Sequence, residues 1–299
     1  GPVSALTGKQ LEIQTDKQTY FNGDASLTGL PNINETFIEI NAKNLKTTYA
    51  DAVSFAPELK KMNNISLNNL QYVNFSGSFT GFINDFVTYG SIETALGKVK
   101  ADVNMKLPKG RPPVYTGNIS SSGFNLGKLL NDTMMGYVSL DAKLKGAGFN
   151  PEKGNVALET KVNYFDYNKY RYQNIRFDGD VNRNNFNGNA SIDDPNIKLT
   201  LNGSIDSRKA IPEFDFLSHI DHLNFKPLNL IKDNISLSGK ANAHFSGKTI
   251  DDFLGSASIS DAVLTRDGRP MSFDSLALHS AVVDSQKVLS LYSNEFTAS

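Results

Sequence analysis

Gly136-Tyr137-Val138-Ser139-Leu140-Asp141-Ala142-Lys143-Leu144-Lys145-Gly146 alternates apolar and polar residues along its whole length. Val138, Leu140, Ala142 and Leu144 fall on one side, and Ser139, Asp141, Lys143 and Lys145 on the other. Successive strand side chains point to opposite faces, so the run predicts a strand with one apolar face and one wetted face. After a Gly/Asn/Pro segment from Gly146 to Gly154 the pattern resumes. Val156, Leu158, Val162 and Tyr164 now stand against Asn155, Glu159, Lys161 and Asn163. Two such runs across a turn-rich segment predict a long β-hairpin.

The same alternation recurs through most of the chain. Leu11–Gln14 and Ser26–Leu30 are short strand candidates, with Asn22-Gly23 as a turn signal between them. Further strands are predicted over 36–45, 65–70, 72–80, 82–89, 97–107 and 114–120, then 170–180, 186–192, 196–205, 213–224, 234–246, 255–265, 271–280 and 287–292. Val99, Ala101, Val103, Met105 and Leu107 hold one face over five alternate positions. Ile197, Leu199 and Leu201 do the same in a later strand, and Ile235, Leu237, Ala241, Ala243 and Phe245 in another. The period changes at residues 51–62, where Val53, Phe55, Ala56, Leu59 and Met62 recur at helical steps behind Asp51 as N-cap. A second brief helix is predicted over Leu126–Leu130, and a non-strand bend over Pro227–Lys232.

These bends divide the chain. Residues 1–10 read as a lead-in, and Gly1-Pro2 as the scar of a tag protease on an excised piece of a longer protein. Residues 11–299 read as one continuous β-segment in modules of about 100 residues, with bends near 51–62, 124–131 and 225–232. Phe124-Asn125-Leu126, a pair of leucines and a strand ending at Gly146 resemble Leu223-Asn224-Phe225, two leucines and a strand ending at Gly247. Residues 51–81 form a shorter, earlier version. Repeats of one supersecondary unit stack along an axis.

Composition narrows the function classes. A net charge of −1 lacks the basic excess of a nucleic-acid binder. No apolar run reaches the ~18 residues of a membrane span, and no secretory signal is visible. With no cysteine, disulfides, thiolate metal sites and a Cys nucleophile are excluded. No nucleophile elbow, P-loop or dinucleotide fingerprint is present, so the chain reads as non-enzymatic and without a cofactor.

The apolar faces set the functional question. Strands of 10–12 residues span roughly 33–40 Å, and about sixteen of them would extend ~75 Å along the sheet. A flat sheet of that size would expose a far larger apolar patch than soluble monomers tolerate. It must close as a barrel, fold on itself as sandwiches, or curl into a gutter whose lining is covered by something else.

A further set of motifs bears on that choice. Asn74-Phe75-Ser76-Gly77-Ser78-Phe79-Thr80-Gly81-Phe82, Thr94-Ala95-Leu96-Gly97 and Gly123-Phe124-Asn125-Leu126-Gly127-Lys128-Leu129-Leu130 resemble the TamB branch of the AsmA-like family of Bacteroidetes-type bacteria. So do Tyr164–Tyr172, Ile192-Asp193-Asp194-Pro195-Asn196, and Ser246-Gly247-Lys248 with Asp251–Gly255. The likeness covers most of residues 35–299. It implies an all-β fold: an elongated, curled antiparallel sheet, or β-taco, with short interspersed helices. It also implies a periplasmic location, in a parent anchored in the inner membrane and reaching the outer one. The expected cargo is phospholipid acyl chains, and the expected partner in the parent an Omp85-type outer-membrane protein. The family's membrane anchor and partner-contacting C-terminal domain are not recognisable here. The groove lining is expected at Val138, Leu140, Leu144, Val156, Leu158, Val162, Ile197, Leu199, Leu201, Ile235, Leu237 and Phe245. The alternative is a scaffold or chaperone-like β protein that offers its edges to outer-membrane proteins by β-augmentation.

Other clusters read as structural. His219, Asp221 and His222 straddle both faces of one strand, which suits a metal poorly. Asp193-Asp194-Pro195 and Asp251-Asp252 sit at predicted turns. Tyr164–Tyr172 reads as a hairpin tip with packed tyrosines, or a stacking platform for sugar or peptide. Asp132-Thr133-Met134 and Asp274-Ser275-Leu276 resemble the O-glycosylation pattern of that bacterial group.

Overall fold

The computed structural model describes residues 4–15, 18–55, 65–148, 150, 153–247, 252–284, 286–293 and 297–298. The fold is all-β, with an antiparallel sheet that is not closed, and only two short α-helices occur among the described residues. Two compact units result: residues 1–149 with 162–167, and residues 150–161 with 168–299.

In the first unit, β1 (Ala5–Gln14), β2 (Tyr20–Thr28), β3 (Phe37–Thr48), β4 (Tyr72–Phe82), β5 (Asp85–Thr94), β6 (Gly97–Lys106), β7 (Val114–Asn125) and β8 (Met135–Ala147) pair antiparallel in chain order. β9 (Asn155–Tyr167) contributes residues to both units. The second unit continues with β10 (Tyr170–Asn182), β11 (Asn185–Asp194), β12 (Ile197–Asp206), β13 (Glu213–Asn224), β14 (Ile235–Ser246), β15 (Leu254–Arg266), β16 (Arg269–Val283), β17 (Gln286–Ser293) and β18 (Thr297–Ala298). These too pair in chain order from β10 to β18.

Four local readings need correction. Residues 5–10, read as a lead-in, extend β1, because Leu6 and Gly8 find Leu27 and Ala25 opposite them. Asn22-Gly23 is not a turn; it lies inside β2, with Gly23 opposite Ala42. Residues 65–70 are not a strand: Leu67–Leu70 form a 3-10 turn, stopped where Gln71 takes a φ of 58°. The strand read at 82–89 starts later, at Asp85, because Ile83 and Asn84 make the hairpin turn.

The helices form corners. α1 (Tyr49–Phe55) follows β3, and α2 (Leu126–Leu130) follows β7. Thr48 rather than Asp51 caps α1, its hydroxyl oxygen accepting from the Asp51 N–H at 3.2 Å. Asp51 lies buried in the first turn, and its carboxylate accepts from the Gln18 N–H and the Thr19 hydroxyl. The helix predicted to Met62 runs, from residue 56, outside the described residues. α2 matches its predicted bounds; the Asn125 side chain accepts from Lys128 N–H at 3.0 Å and Asn131 ends it in the left-handed region.

The repeat has a geometric signature that the sequence only hinted at. Before each bend, one extra residue enters the leading strand. Ala42 to Leu45 faces Gly77 to Phe75, Ser121 to Phe124 faces Leu140 to Val138, and Ile220 to Leu223 faces Gly239 to Leu237. A one-residue bulge bends its strand and raises the local twist. All three bends share it, so the early, shorter version belongs to the series.

The hairpin turn between β12 and β13 carries a tight ion pair. Arg208 donates its backbone N–H and Nε to Asp206 at 3.0 and 2.8 Å, and Nη2 donates to the second carboxylate oxygen. These bonds hold the Asp206 carboxyl down to about 2 from an ordinary value of 3.8. Because the folded value is depressed, the contribution to stability is present above 3.8 and is lost as pH falls through about 2. An NMR titration should place the Asp206 midpoint near 2 and, in Arg208→Ala, return it toward the ordinary carboxylate range; an unmoved midpoint would refute the assignment.

Candidate functional site: the apolar lanes

Residues directly opposite each other in an antiparallel ladder share a face. Reading the register across the first unit therefore traces lanes running perpendicular to the strands. One passes Ile40, Phe79, Thr88, Val103, Gly117 and Leu144. Beyond an intervening lane of Ala42, Gly77, Gly90, Ala101, Ile119 and Ala142, another passes Leu45, Phe75, Ile92, Val99, Ser121 and Leu140. Val138 lies beyond the bulge, opposite Phe124.

The second unit repeats the arrangement. Leu199 sits between Ile192 and Ile220, and Leu201 between Ala190 and Ser218. Leu237 sits between Leu223 and Leu264, and Phe245 between Phe214 and Gly255. Ile197 faces Leu223, while Ile235 ends its lane against Arg266. Val156, Leu158 and Val162 occupy the half-buried alternate positions of β9. Each residue expected from sequence to line a groove thus lies on the apolar side of its strand. Phe75, Phe79, Ile92 and Phe214, which stacks on Phe245 at 4.8 Å, share these faces without having been singled out from sequence; cross-strand register is needed to join them.

These faces are not sealed. Leu140, Leu144, Val156, Leu158, Val162, Ile197, Leu199, Leu201, Ile235, Leu237 and Phe245 are half-buried; Val138 alone of the predicted set is buried. A sandwich would bury an inner face completely against a second sheet. Here the buried apolar side chains are few: Val53, Leu96, Val138, Leu228 and Phe253 lie at bends and near strand ends, and Ala42, Ile220, Ala243 and Ala262 within strands.

In each unit one of the lanes carries opposed glycines. Gly77 faces Gly90, and Gly179, Gly188 and Gly203 follow one another across β10–β12. A Cβ on Gly90 would meet Ser76 O at 2.5 Å, and one on Gly188 would meet Asp178 O at 2.4 Å. Cβ atoms on opposed strands ordinarily stand about 4.5–5.5 Å apart. Contacts this short to backbone atoms leave room only for a residue without a side chain.

The polar clusters behave as structural parts. His219 Nε2 lies 3.1 Å from Asp221 on an exposed surface, whereas His222 turns to the other side and reaches Asp194 O at 3.2 Å. Asp194 is buried and accepts from the Tyr170 hydroxyl, Gln173 N–H and Asn196 N–H, which is turn chemistry. Burial, then the bond to Asp194, pushes the Tyr170 phenol up. Asp251 lies outside the described residues. The aromatic run forms two separate pairs, Phe165 with Tyr167 and Tyr170 with Tyr172. Thr133 is exposed beside an Asp132 that accepts from Met134 N–H, and Ser275 is half-buried within β16. No helix among the described residues is long and apolar enough to cross a membrane.

No family model, curated protein or solved structure matches this chain.

Proposed function

We propose that the chain is a non-enzymatic segment of a TamB-like, AsmA-like bridge, carrying phospholipid acyl chains along the apolar face of its sheet between inner and outer membranes. The observation that carries this reading is the pair of lane systems, continuous in register within each unit and half-exposed, with no second layer of the described residues over them. Each methylene shielded from water is worth ~0.8 kcal/mol, so a bare acyl chain crosses an aqueous gap at great cost. A trough that offers similar apolar contact at every step removes most of that cost without a deep minimum to trap the lipid. The headgroup needs no dedicated site on this face, since it projects from the open side into water. In the parent protein the segment lies in the periplasm and works with an Omp85-type partner.

The test places charge on the lining without touching the ladder. Leu158 and Leu199 are half-buried alternate residues of β9 and β12, and their backbone bonds do not depend on the side chain. The double variant Leu158→Asp, Leu199→Asp should keep the strand signature in circular dichroism and lose most co-purifying phospholipid. Unchanged lipid content with the sheet intact rejects the conduit and leaves the scaffold role.

A further inference from the structure

We infer that the polar face of the first unit holds a binding site for an oxyanion, with phosphate esters as its ligand class. The site is a depression of about 260 Å³ across β6, β7, β8 and β9. At ~30 Å³ per water it holds the equivalent of about nine waters, room for a phosphate and the first atoms of its ester group.

The depression lies beside the bulge at Ser121–Phe124, where β7 departs from regular pairing with β8. Lys98 and Lys100 come from β6, Ser120 from β7, Ser139 and Asp141 from β8, and Asn163 from β9. Register places Lys100, Ser120 and Asp141 in one row on the polar side. Ser139 is the floor, only 6% exposed although it belongs to the wetted face. Its oxygen accepts from Asn163 Nδ2 at 3.4 Å, which leaves the hydroxyl proton free to donate. Ser121 is excluded as a ligand because its hydroxyl already donates to Lys98 O and accepts from Gly123 N–H.

The donor balance sets the ligand. Two ammonium groups, an amide and, with Ser121 set aside, three hydroxyls (Ser120, Ser122 and Ser139) face one carboxylate, Asp141. Among the described residues neither Lys98 nor Lys100 takes part in an ion pair, although Glu93 stands opposite Lys98 in register. A concave set of donors from several strands, with net positive charge and a buried hydroxyl beneath, matches a tetrahedral anion, for which lysine serves as a point charge. Ser139 and Leu140 are consecutive and point to opposite faces, so the site lies on the other side of the sheet from the lipid lanes and does not depend on them.

Calorimetry on the full chain with inorganic phosphate and with glycerol 3-phosphate tests the chemistry. Flotation with phosphatidylglycerol vesicles, against phosphatidylcholine vesicles, tests whether a lipid headgroup supplies it. Saturable binding of the soluble esters should weaken at least about tenfold in K98A/K100A, a change of ~1.4 kcal/mol or more. Ser139→Ala should weaken it several-fold; both lysines are exposed, so the lysine pair still reports if the serine variant unfolds. Ester binding lost in K98A/K100A without vesicle recruitment identifies a soluble ligand. Recruitment to anionic vesicles lost in the same variant identifies a headgroup. No saturable binding of either kind, or binding that K98A/K100A leaves unchanged, overturns the site. Leu158→Asp, Leu199→Asp should bind phosphate normally, which separates failure here from failure of the lipid reading.

Discussion

Leu228→Ala should lower the stability of the second unit by ~3 kcal/mol, since emptying a buried leucine site costs 2–5 kcal/mol in packed cores. Leu228 has no exposed surface, and among the described residues only Thr36 is as completely enclosed among the larger side chains. It sits in the bend between β13 and β14, where Leu230 N–H bonds Phe225 O and Phe225 N–H bonds Ile235 O. In a structure whose strand faces are half-open, the few sealed sites carry a large share of the packing. At roughly 3 °C per kcal/mol for a unit of this size, the melting transition should fall by about 10 °C. Hydrogen exchange should locate the loss in β13 and β14. A shift of only ~1–2 °C would mean that the bend collapses around the missing methyls, and that it is not a packing centre. Thermal unfolding is best read by several probes, because two units need not melt together.

Gly188→Val should be as damaging for a different reason. A Cβ there meets Asp178 O at 2.4 Å and Gly179 Cα at 2.6 Å, both backbone atoms that no rotamer change can move aside. The strands must separate, and overpacking in a closed site costs about 1–3 kcal/mol even when neighbours can yield. With backbone on the other side of the clash, we expect ~3 kcal/mol or more. Valine favours extended backbone, so loss of stability would not reflect strand propensity. Gly123→Ala is the matched control: its Cβ would meet only the Tyr164 hydroxyl at 3.0 Å, the far end of a side chain that can swing away. Comparable losses in both variants would show that crowding at the glycine pair is not the cause. If Gly188→Val folds with a disturbed lane, lipid retention should fall as well, which ties the glycine pair to the proposed path.

Most of the strand framework was legible because its cause is local. Ile197-Lys198-Leu199-Thr200-Leu201 alternates, and a chain with that pattern gains by presenting one face away from water whatever lies beyond. The misreadings had equally physical sources. Asn22-Gly23 carries turn chemistry, yet Gly23 serves in β2 because a Cβ there would strike Asn41 O at 2.2 Å. Ile65-Ser66-Leu67 looks like alternation, but Ser66 N–H bonds Leu129 O and draws the segment into a 3-10 turn against α2. Residues 5–10 look featureless until Leu27 and Ala25 appear opposite them. In each case a partner far along the chain decided, and local pattern carries no information about that partner.

By itself the sequence determined the all-β class, the apolar and polar side of nearly every strand, and the places near 51–62, 124–131 and 225–232 where the strand pattern breaks. Those follow from side-chain hydrophobicity and backbone period, which are properties of neighbouring residues. Only the tertiary structure decided that Gly77 meets Gly90 and Gly179 meets Gly188, and that one extra residue precedes each bend. It also set Lys98, Lys100 and Ser139 around one hollow and left the apolar lanes half-open. Register across strands settles all four, and register is fixed by how whole faces fit together, not by any single stretch of chain.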